Sequence, residues 1–148
     1  MISLVADEWE SEILDKNCAR LEFSIYEKEK DIKNFLDKEI VRFDFVSFKC
    51  PSTVKSEILY CLQKNYLFYF IDCYQSFTLK CRNNDKPNQN IKIVENLEIN
   101  EIEKMATKFL INSRYHLDTQ ITDEIAKRSR ASWVINANKD KNKEIYCY

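Results

Sequence analysis

The 148-residue chain has the composition of a folded protein, because 45% of its residues are hydrophobic and 32% are charged, with nearly balanced signs. A formal net charge of −1 provides no clustered basic surface, so we expect no nucleic-acid partner. The sequence lacks an apolar run of about 18 residues, and its acidic start does not resemble a secretion signal. We therefore expect a cytoplasmic protein without a membrane partner.

Glycine is absent from the sequence, although an average protein of this size has about ten glycines. Glycine alone combines easy access to positive φ with close approach of the backbone to a phosphate. We therefore expect no glycine-rich phosphate loop, whether of the P-loop, dinucleotide-binding or acetyl-CoA type. The six cysteines form no C-x-x-C pair, and we interpret them as buried free thiols rather than as metal ligands or disulfides.

Apolar periodicity in the first part of the chain alternates between the spacing of strands and that of helices. It predicts strands over 19–26, 42–49 and 67–81, and helices over 28–40 and 53–65. Leu21, Phe23 and Ile25 share one face of the first strand. The residues expected to face inward from the two helices are Ile32, Phe35, Leu36 and Ile40, followed by Val54, Ile58, Leu59 and Leu62.

A polar segment with a proline, 82–90, predicts a linker between two domains, 1–81 and 91–148. The second domain is predicted to contain a strand over 91–95, helices over 98–110 and 122–137, a turn over 138–143 and a strand over 144–148. The inward positions of the first helix are Ile99, Ile102, Ala106 and Phe109, and Trp133 is expected in the core with Ser129 and Ala137. We expect the terminal strand to lack a partner, which suggests that the sequence once continued.

Two separated motifs carry a resemblance to a known family. Trp9-Glu10-Ser11-Glu12-Ile13-Leu14 resembles the W-E-S-E-F-F signature of the dTDP-fucosamine N-acetyltransferase group, within the GNAT superfamily. Ser113-Arg114-Tyr115-His116-Leu117-Asp118 is similar to the S-R-F-H-x-D-P motif of that group, and Trp133-Val134-Ile135-Asn136 to its W-x-x-N helix. The chain departs from the pattern at Ile13 and Leu14, which replace aromatic residues, and at Thr119, which replaces proline.

This resemblance implies an α/β (α+β) fold. A small N-terminal α/β domain would be followed by the first strand and two helices of a GNAT (acyl-CoA N-acyltransferase) domain, which is incomplete in this chain. It implies transfer of an acetyl group from acetyl-CoA to the amine of a nucleotide-linked deoxyamino sugar. Acetyl-CoA is expected for the full-length enzyme, but its binding loop and the general acid tyrosine would lie beyond Tyr148. We therefore expect no catalytic residue and no bound cofactor in this chain.

The candidate site residues lie in the same two motifs. The loop with Arg114, Tyr115 and His116 would offer a cation, a hydroxyl and an imidazole to a sugar pyrophosphate. Arg114 and Asp118 would alternatively brace the loop by capping helix ends, and His116 would be either a structural residue or a general base. Trp9 and Glu10 would contact the sugar nucleotide, or Trp9 would pack in the core or between domains.

The sequence leaves a second class of function open, that of a non-catalytic α/β interaction module descended from such an enzyme. Its strand 144–148 would add to another chain, either a copy of this one or a missing C-terminal half. In a third hypothesis, residues 1–81 bind a sugar nucleotide without catalysing a reaction.

Overall fold

A computed structural model of the chain describes residues 1–73, 98–109 and 113–140, and the backbone of two short strands at 92–93 and 146–147. The chain divides into two units, Met1–Phe70 and Ile71–Tyr148. Helices and strands occur together, which confirms the mixed α/β class. The predicted linker, 82–90, lies outside the described residues.

The first unit consists of a three-stranded sheet and three α-helices. Its elements are β1 (Ile2–Ala6), α1 (Glu8–Leu14), β2 (Cys18–Phe23), α2 (Glu29–Glu39), β3 (Phe45–Phe48) and α3 (Ser56–Tyr66), with a 3-10 turn at Ile40–Arg42. Strand β2 lies in the middle, antiparallel to β1 and parallel to β3. The sequence predicts β2, α2, β3 and α3. It does not predict β1, in which Leu4, Val5 and Ala6 form a continuous apolar run, or α1, which has only seven residues.

The core of the first unit lies where α2 and α3 meet the central strand. Its buried residues are Leu21, Ile32, Leu36, Ile58 and Leu62. The predicted inward stripe of α2 is confirmed, and that of α3 is wrong at one position, since Leu59 is 43% exposed. Cys61 is buried instead, because it follows Ile58 by one helical turn whereas Leu59 is rotated by about 100°.

Two helices of this unit end on residues with positive φ that are not glycine. Asp15 follows α1 with φ of 54°, and Leu67 follows α3 with φ of 59°. A side chain with a Cβ atom costs about 1–2 kcal/mol in this left-handed conformation. Leu67 also interrupts the strand that was predicted over 67–81, since 67–73 form no strand and 74–81 lie outside the described residues.

We expect Leu67→Gly to stabilise the first unit by about 0.5–1 kcal/mol, because glycine removes the clash of the Cβ atom but is more flexible in the unfolded chain. Leu67 is 82% exposed, so its side chain contributes little packing. Leu59→Gly is the matched control within α3 and should destabilise the unit by about 1 kcal/mol. Urea unfolding followed by Trp9 fluorescence in a Trp133→Phe background measures both changes in the free energy of unfolding. If both substitutions destabilised the unit, the assignment of strain to Leu67 would be wrong.

An exposed polar cluster links α2 to α3. Lys33 Nζ donates to Asp37 Oδ2 at 2.6 Å, and the Tyr66 hydroxyl donates to Asp37 Oδ1 at 2.6 Å. The hydrogen bond from Lys33, and then that from Tyr66, hold the pKa of the Asp37 carboxyl below its ordinary value of 3.8. The folded chain therefore prefers the ionised form of Asp37.

A carboxyl group with a lowered pKa stabilises the fold above its unfolded-state pKa, and this stabilisation disappears as the pH falls through the folded-state pKa. We expect Asp37→Asn to make the thermal midpoint of the first unit less sensitive to acid below about pH 4. Lys33→Met should reduce the acid sensitivity of the thermal midpoint in the same way. The double variant should reduce this sensitivity little further than either single variant. Thermal unfolding at a series of pH values provides the measurement, and an unchanged pH slope in Asp37→Asn would refute the expectation.

The second unit contains three described helices and a two-stranded ladder. They are α4 (Ile99–Phe109), α5 (Arg114–Leu117) and α6 (Asp123–Lys139), with β4 (Lys92–Ile93) antiparallel to β5 (Tyr146–Cys147). The expectation that the terminal strand lacks a partner is wrong, because β5 pairs with β4. Helix α6 continues to Lys139, so the turn predicted over 138–143 is wrong at its first two residues, and 141–143 lie outside the described residues.

Helix α4 packs against α6 through small and medium side chains. Ile102 and Ala106 are buried on α4, as predicted, whereas Ile99 is half exposed and the side chain of Phe109 lies outside the described part. On α6 the buried side chains are small: Ala126, Ser129 and Ala131. The prediction of Trp133 as a core residue is wrong, since it is 57% exposed. None of the described helices has the length and apolar character needed to cross a membrane.

Candidate functional site

The predicted binding loop forms a short helical turn, α5, directly before α6. Ser113, Tyr115 and Asp118 are buried, while Arg114 and His116 are half-buried. Alternate positions of the turn therefore face the interior of the second unit. Arg114 and His116 are the two candidates that remain partly accessible to a ligand.

The guanidinium of Arg114 is held against its neighbour. Arg114 Nη2 donates to the Tyr115 hydroxyl at 2.7 Å, and the guanidinium carbon lies 4.7 Å from the centre of the Tyr115 ring. The cation therefore combines a hydrogen bond with a cation–π contact. A guanidinium has five N–H donors in a planar arrangement, and this geometry matches phosphate or carboxylate oxygens.

Ser113 and His116 form a pair that the sequence analysis did not predict. Ser113 Oγ lies 2.8 Å from His116 Nδ1, three residues further along the turn. Residues at this spacing are neighbours on a helical surface, which is the signal that could have revealed the pair. Within the described part of the chain, the buried Nε2 atom of His116 has no hydrogen-bond partner. The serine thus fixes one ring nitrogen, and the other is enclosed by the fold.

A charged pair at the start of α6 lies within the electrostatic reach of His116. Asp123 Oδ2 accepts a hydrogen bond from Lys127 at 2.8 Å. This bond lowers the pKa of the Asp123 carboxyl, and the charge of the His116 imidazole makes a smaller contribution in the same direction.

Asp118 braces the connection between α5 and α6. Its Oδ1 atom accepts from the backbone N–H of Gln120 at 2.9 Å, and its own N–H donates to the carbonyl of Arg114 at 3.0 Å. Both bonds close turns within the loop, as expected for an aspartate in such a segment. The geometry agrees with the bracing role for Asp118, and Arg114 contacts the Tyr115 ring.

The Trp9–Glu10 pair lies on α1 in the first unit. Glu10 is only 1% exposed, and its Oε2 atom accepts from Ser47 Oγ at 3.3 Å. Trp9 is half-buried. A carboxylate enclosed in this way contributes to packing and hydrogen bonding of the unit, and the sugar-binding role of both residues stays a prediction.

Ser11 in the same motif connects α1 to β2. Asp7 caps the helix by accepting from the Glu10 N–H at 2.9 Å, and Ser11 Oγ donates to the Asp7 carbonyl at 2.7 Å. The same hydroxyl accepts from the Cys18 N–H at 3.0 Å. The polar residues of this motif therefore order the start of the chain.

The thiols of the described residues are free. Cys18 and Cys61 are buried, as predicted, but Cys50 and Cys73 are exposed, so burial was wrongly predicted for these two. In the part of the chain that the structure describes, no cluster of three or more histidine, cysteine, aspartate or glutamate side chains could hold a metal ion.

No family model, curated protein or solved structure matches the chain. The likeness to sugar N-acetyltransferases therefore rests on the motifs at 9–14, 113–118 and 133–136. Of these, the 113–118 motif forms the turn that contains the Arg114–Tyr115 and Ser113–His116 contacts.

We expect Asp118→Ala to destabilise the second unit by about 1–2 kcal/mol, because it leaves the Gln120 N–H without its acceptor. Asp118→Asn keeps an acceptor oxygen at this position and should cost less. Hydrogen exchange of the Gln120 amide tests the bond directly: exchange should accelerate in Asp118→Ala and stay closer to wild type in Asp118→Asn. Equal protection in all three proteins would argue against a bracing role.

Proposed function

We propose that these residues are the N-terminal part of a GNAT-type N-acetyltransferase that acts on the amine of a nucleotide-linked deoxyamino sugar. The turn at 113–118 would contact the sugar nucleotide. The observation that carries the proposal is the Arg114 guanidinium, which is held over the Tyr115 ring beside the Ser113–His116 pair. A positioned cation and a positioned imidazole in one turn suit a ligand that carries both phosphate and hydroxyl groups.

The roles follow from the chemistry of each side chain. Arg114 would donate to oxygens of the ligand's diphosphate, and the Tyr115 ring would keep the guanidinium in place. The accessible part of the His116 ring would contact the sugar, while Ser113 holds Nδ1 of that ring. Asp118 would maintain the shape of the turn. No residue of this chain is assigned a catalytic step.

The order of elements in the second unit supports the proposal. Strand β4, helices α4 and α6, and strand β5 follow one another in the order strand, helix, helix, strand that the resemblance implies for the start of a GNAT domain. The short α5 lies between the two long helices and carries the binding turn. In the proposed enzyme, the amine of the sugar would attack the thioester of acetyl-CoA directly and so receive the acetyl group.

In the proposed enzyme, the coenzyme loop would lie outside these residues. A diphosphate cradled by backbone N–H groups needs glycine for close approach, and the chain has none. We therefore propose that the 148 residues bind the sugar nucleotide but not acetyl-CoA.

Titration of the chain with a dTDP-linked 4-amino-4,6-dideoxyhexose tests the role of Arg114. We expect binding heat that decreases at high salt, and at least about tenfold weaker binding for Arg114→Gln, since a hydrogen bond to a charged group contributes about 1.5–3 kcal/mol. Arg128→Gln, an exposed arginine on α6, is the matched control and should bind like the wild type. Equal affinities of all three proteins would remove Arg114 from the site.

A thermal-shift assay with acetyl-CoA tests the second half of the proposal. A ligand at a hundred times its dissociation constant stabilises a protein by about 2.7 kcal/mol, which would raise the melting temperature measurably. We expect no shift. A clear rise would mean that the chain binds the coenzyme without a glycine-containing loop.

The alternative, an interaction module that recruits another chain through residues 144–148, has no specific structural observation in its favour. Among the described residues, β5 uses β4 of the same chain as its strand partner. A homo-oligomer formed in this way stays a prediction from the sequence.

A further inference from the structure

A cavity of about 290 Å³ lies at the carboxyl ends of β2 and β3 in the first unit. Its lining includes Leu21, Phe23, Ile25, Phe48, Cys50 and Val54. The sequence predicts that Leu21, Phe23 and Ile25 share one face of a strand, but it does not predict that Phe48 lies beside them. The parallel pairing of β2 with β3 does so, because it sets Phe48 opposite Leu21.

An aromatic pair forms part of the cavity wall. The rings of Phe23 and Phe48 stack with centroids 4.7 Å apart and an angle of 24° between their planes. Both side chains are half-buried, so they contact the core and still line the cavity. Aromatic rings attract further rings through offset stacking or edge-to-face contacts, which contribute beyond simple burial of apolar area.

Two charged residues, Glu22 and Lys49, contribute to the lining of the cavity. The Glu22 carboxylate lies 3.8 Å from Arg20 Nε, so a neighbouring cation already balances its charge. The other lining residues named above are uncharged, which favours a neutral ligand over an ion. The Lys49 ammonium group can donate a hydrogen bond to one polar group of such a ligand.

The volume of the cavity limits the size of its occupant. An engineered protein cavity of about 150 Å³ admits benzene, and natural ligand pockets begin at about 300 Å³. The cavity therefore has room for one ring with a polar substituent. Its place also fits, because ligands of α/β proteins commonly bind beyond the carboxyl ends of parallel strands.

We propose that this cavity binds a small, uncharged aromatic molecule with one polar group, whose ring contacts the Phe23–Phe48 pair. The proposal is independent of the acetyltransferase assignment and of the turn at 113–118. It assigns a binding function to the first unit that the W-E-S-E motif does not explain.

Alkylation of Cys50 reports occupancy of the cavity in the unmodified chain. Cys50 lines the cavity and is exposed, while Cys73 is exposed outside it and serves as an internal control. Rates of iodoacetamide labelling, resolved by peptide mass spectrometry, are compared with phenol, with cyclohexanol and with benzoate. Cyclohexanol has the hydroxyl group and nearly the size of phenol without an aromatic ring, and benzoate adds a negative charge.

We expect phenol to slow labelling of Cys50 by about tenfold at ten times its dissociation constant, as simple occupancy requires. Labelling of Cys73 should not change, and cyclohexanol and benzoate should protect Cys50 much less. Equal protection by phenol and cyclohexanol would overturn the aromatic contact, and better protection by benzoate would overturn the preference for neutral ligands. Absence of protection up to the solubility limit of phenol, or equal slowing at Cys73, would overturn the site itself.

Two variants separate the aromatic contact from the cavity volume. Phe48→Leu keeps an apolar side chain but removes one ring. In this variant phenol and cyclohexanol should protect Cys50 about equally. Val54→Phe should fill the cavity and abolish protection by every ligand. Each variant is compared with itself in the absence of ligand, after circular dichroism has verified its fold. A Val54→Phe protein that folds and still shows wild-type protection would also refute the proposal.

Discussion

Leu21 on strand β2 lies beneath both α2 and α3, and this contact orders the first unit. The two helices contribute Ile32, Leu36, Ile58 and Leu62 to the same buried cluster. Burial of one such side chain stabilises a fold by about 1.5–3 kcal/mol relative to exposure. Because β2 also pairs with a strand on each side, it couples the sheet to the helical layer. The cavity at the ends of β2 and β3 and the α1–β2 connection both depend on the position of this strand.

A chain without glycine must form its tight turns by other means, and the described turns show how this is done. Asp15 and Leu67 take the left-handed conformation that glycine usually provides. Elsewhere, side chains form hydrogen bonds with the backbone of a turn or loop. Asn17 donates to the carbonyl of Arg42 at 2.5 Å, and Asp118 accepts from the N–H of Gln120. These devices hold loops in place, but they do not present a row of backbone N–H groups to an anion. In the proposed function, a phosphate-bearing ligand would therefore be bound by side chains such as Arg114.

The parts of the fold that were predicted from sequence are those with local periodicity. Helix α2 was found because its apolar residues recur at helical spacing, and the face that they form is the buried one. Strand β1 was missed because its apolar residues do not alternate regularly with polar ones, and helix α1 because seven residues carry too little helical periodicity. Trp133 was placed in the core on spacing alone, yet the inward face of α6 is built from small side chains. Spacing shows which residues share a face but not which face becomes buried.

The same distinction applies to the candidate sites. The motif at 113–118 was recognised from residue types, but the contact of Ser113 with His116 and the Arg114–Tyr115 stack required the geometry of the turn. The cavity beside Phe23 and Phe48 was not predictable in this way, because the parallel pairing that forms it joins segments far apart in sequence.

Within the two main motifs, most polar residues have structural partners, and this narrows the search for function. Ser11 and Glu10 order the first unit, and Asp118 closes the turn before α6. Buried polar groups of this kind are needed for folding whether or not a ligand is present. Arg114 and His116 also have structural partners, Tyr115 and Ser113, but both side chains are only half-buried. Side chains that are positioned by the fold, but not enclosed by it, are the ones suited to recognise a substrate.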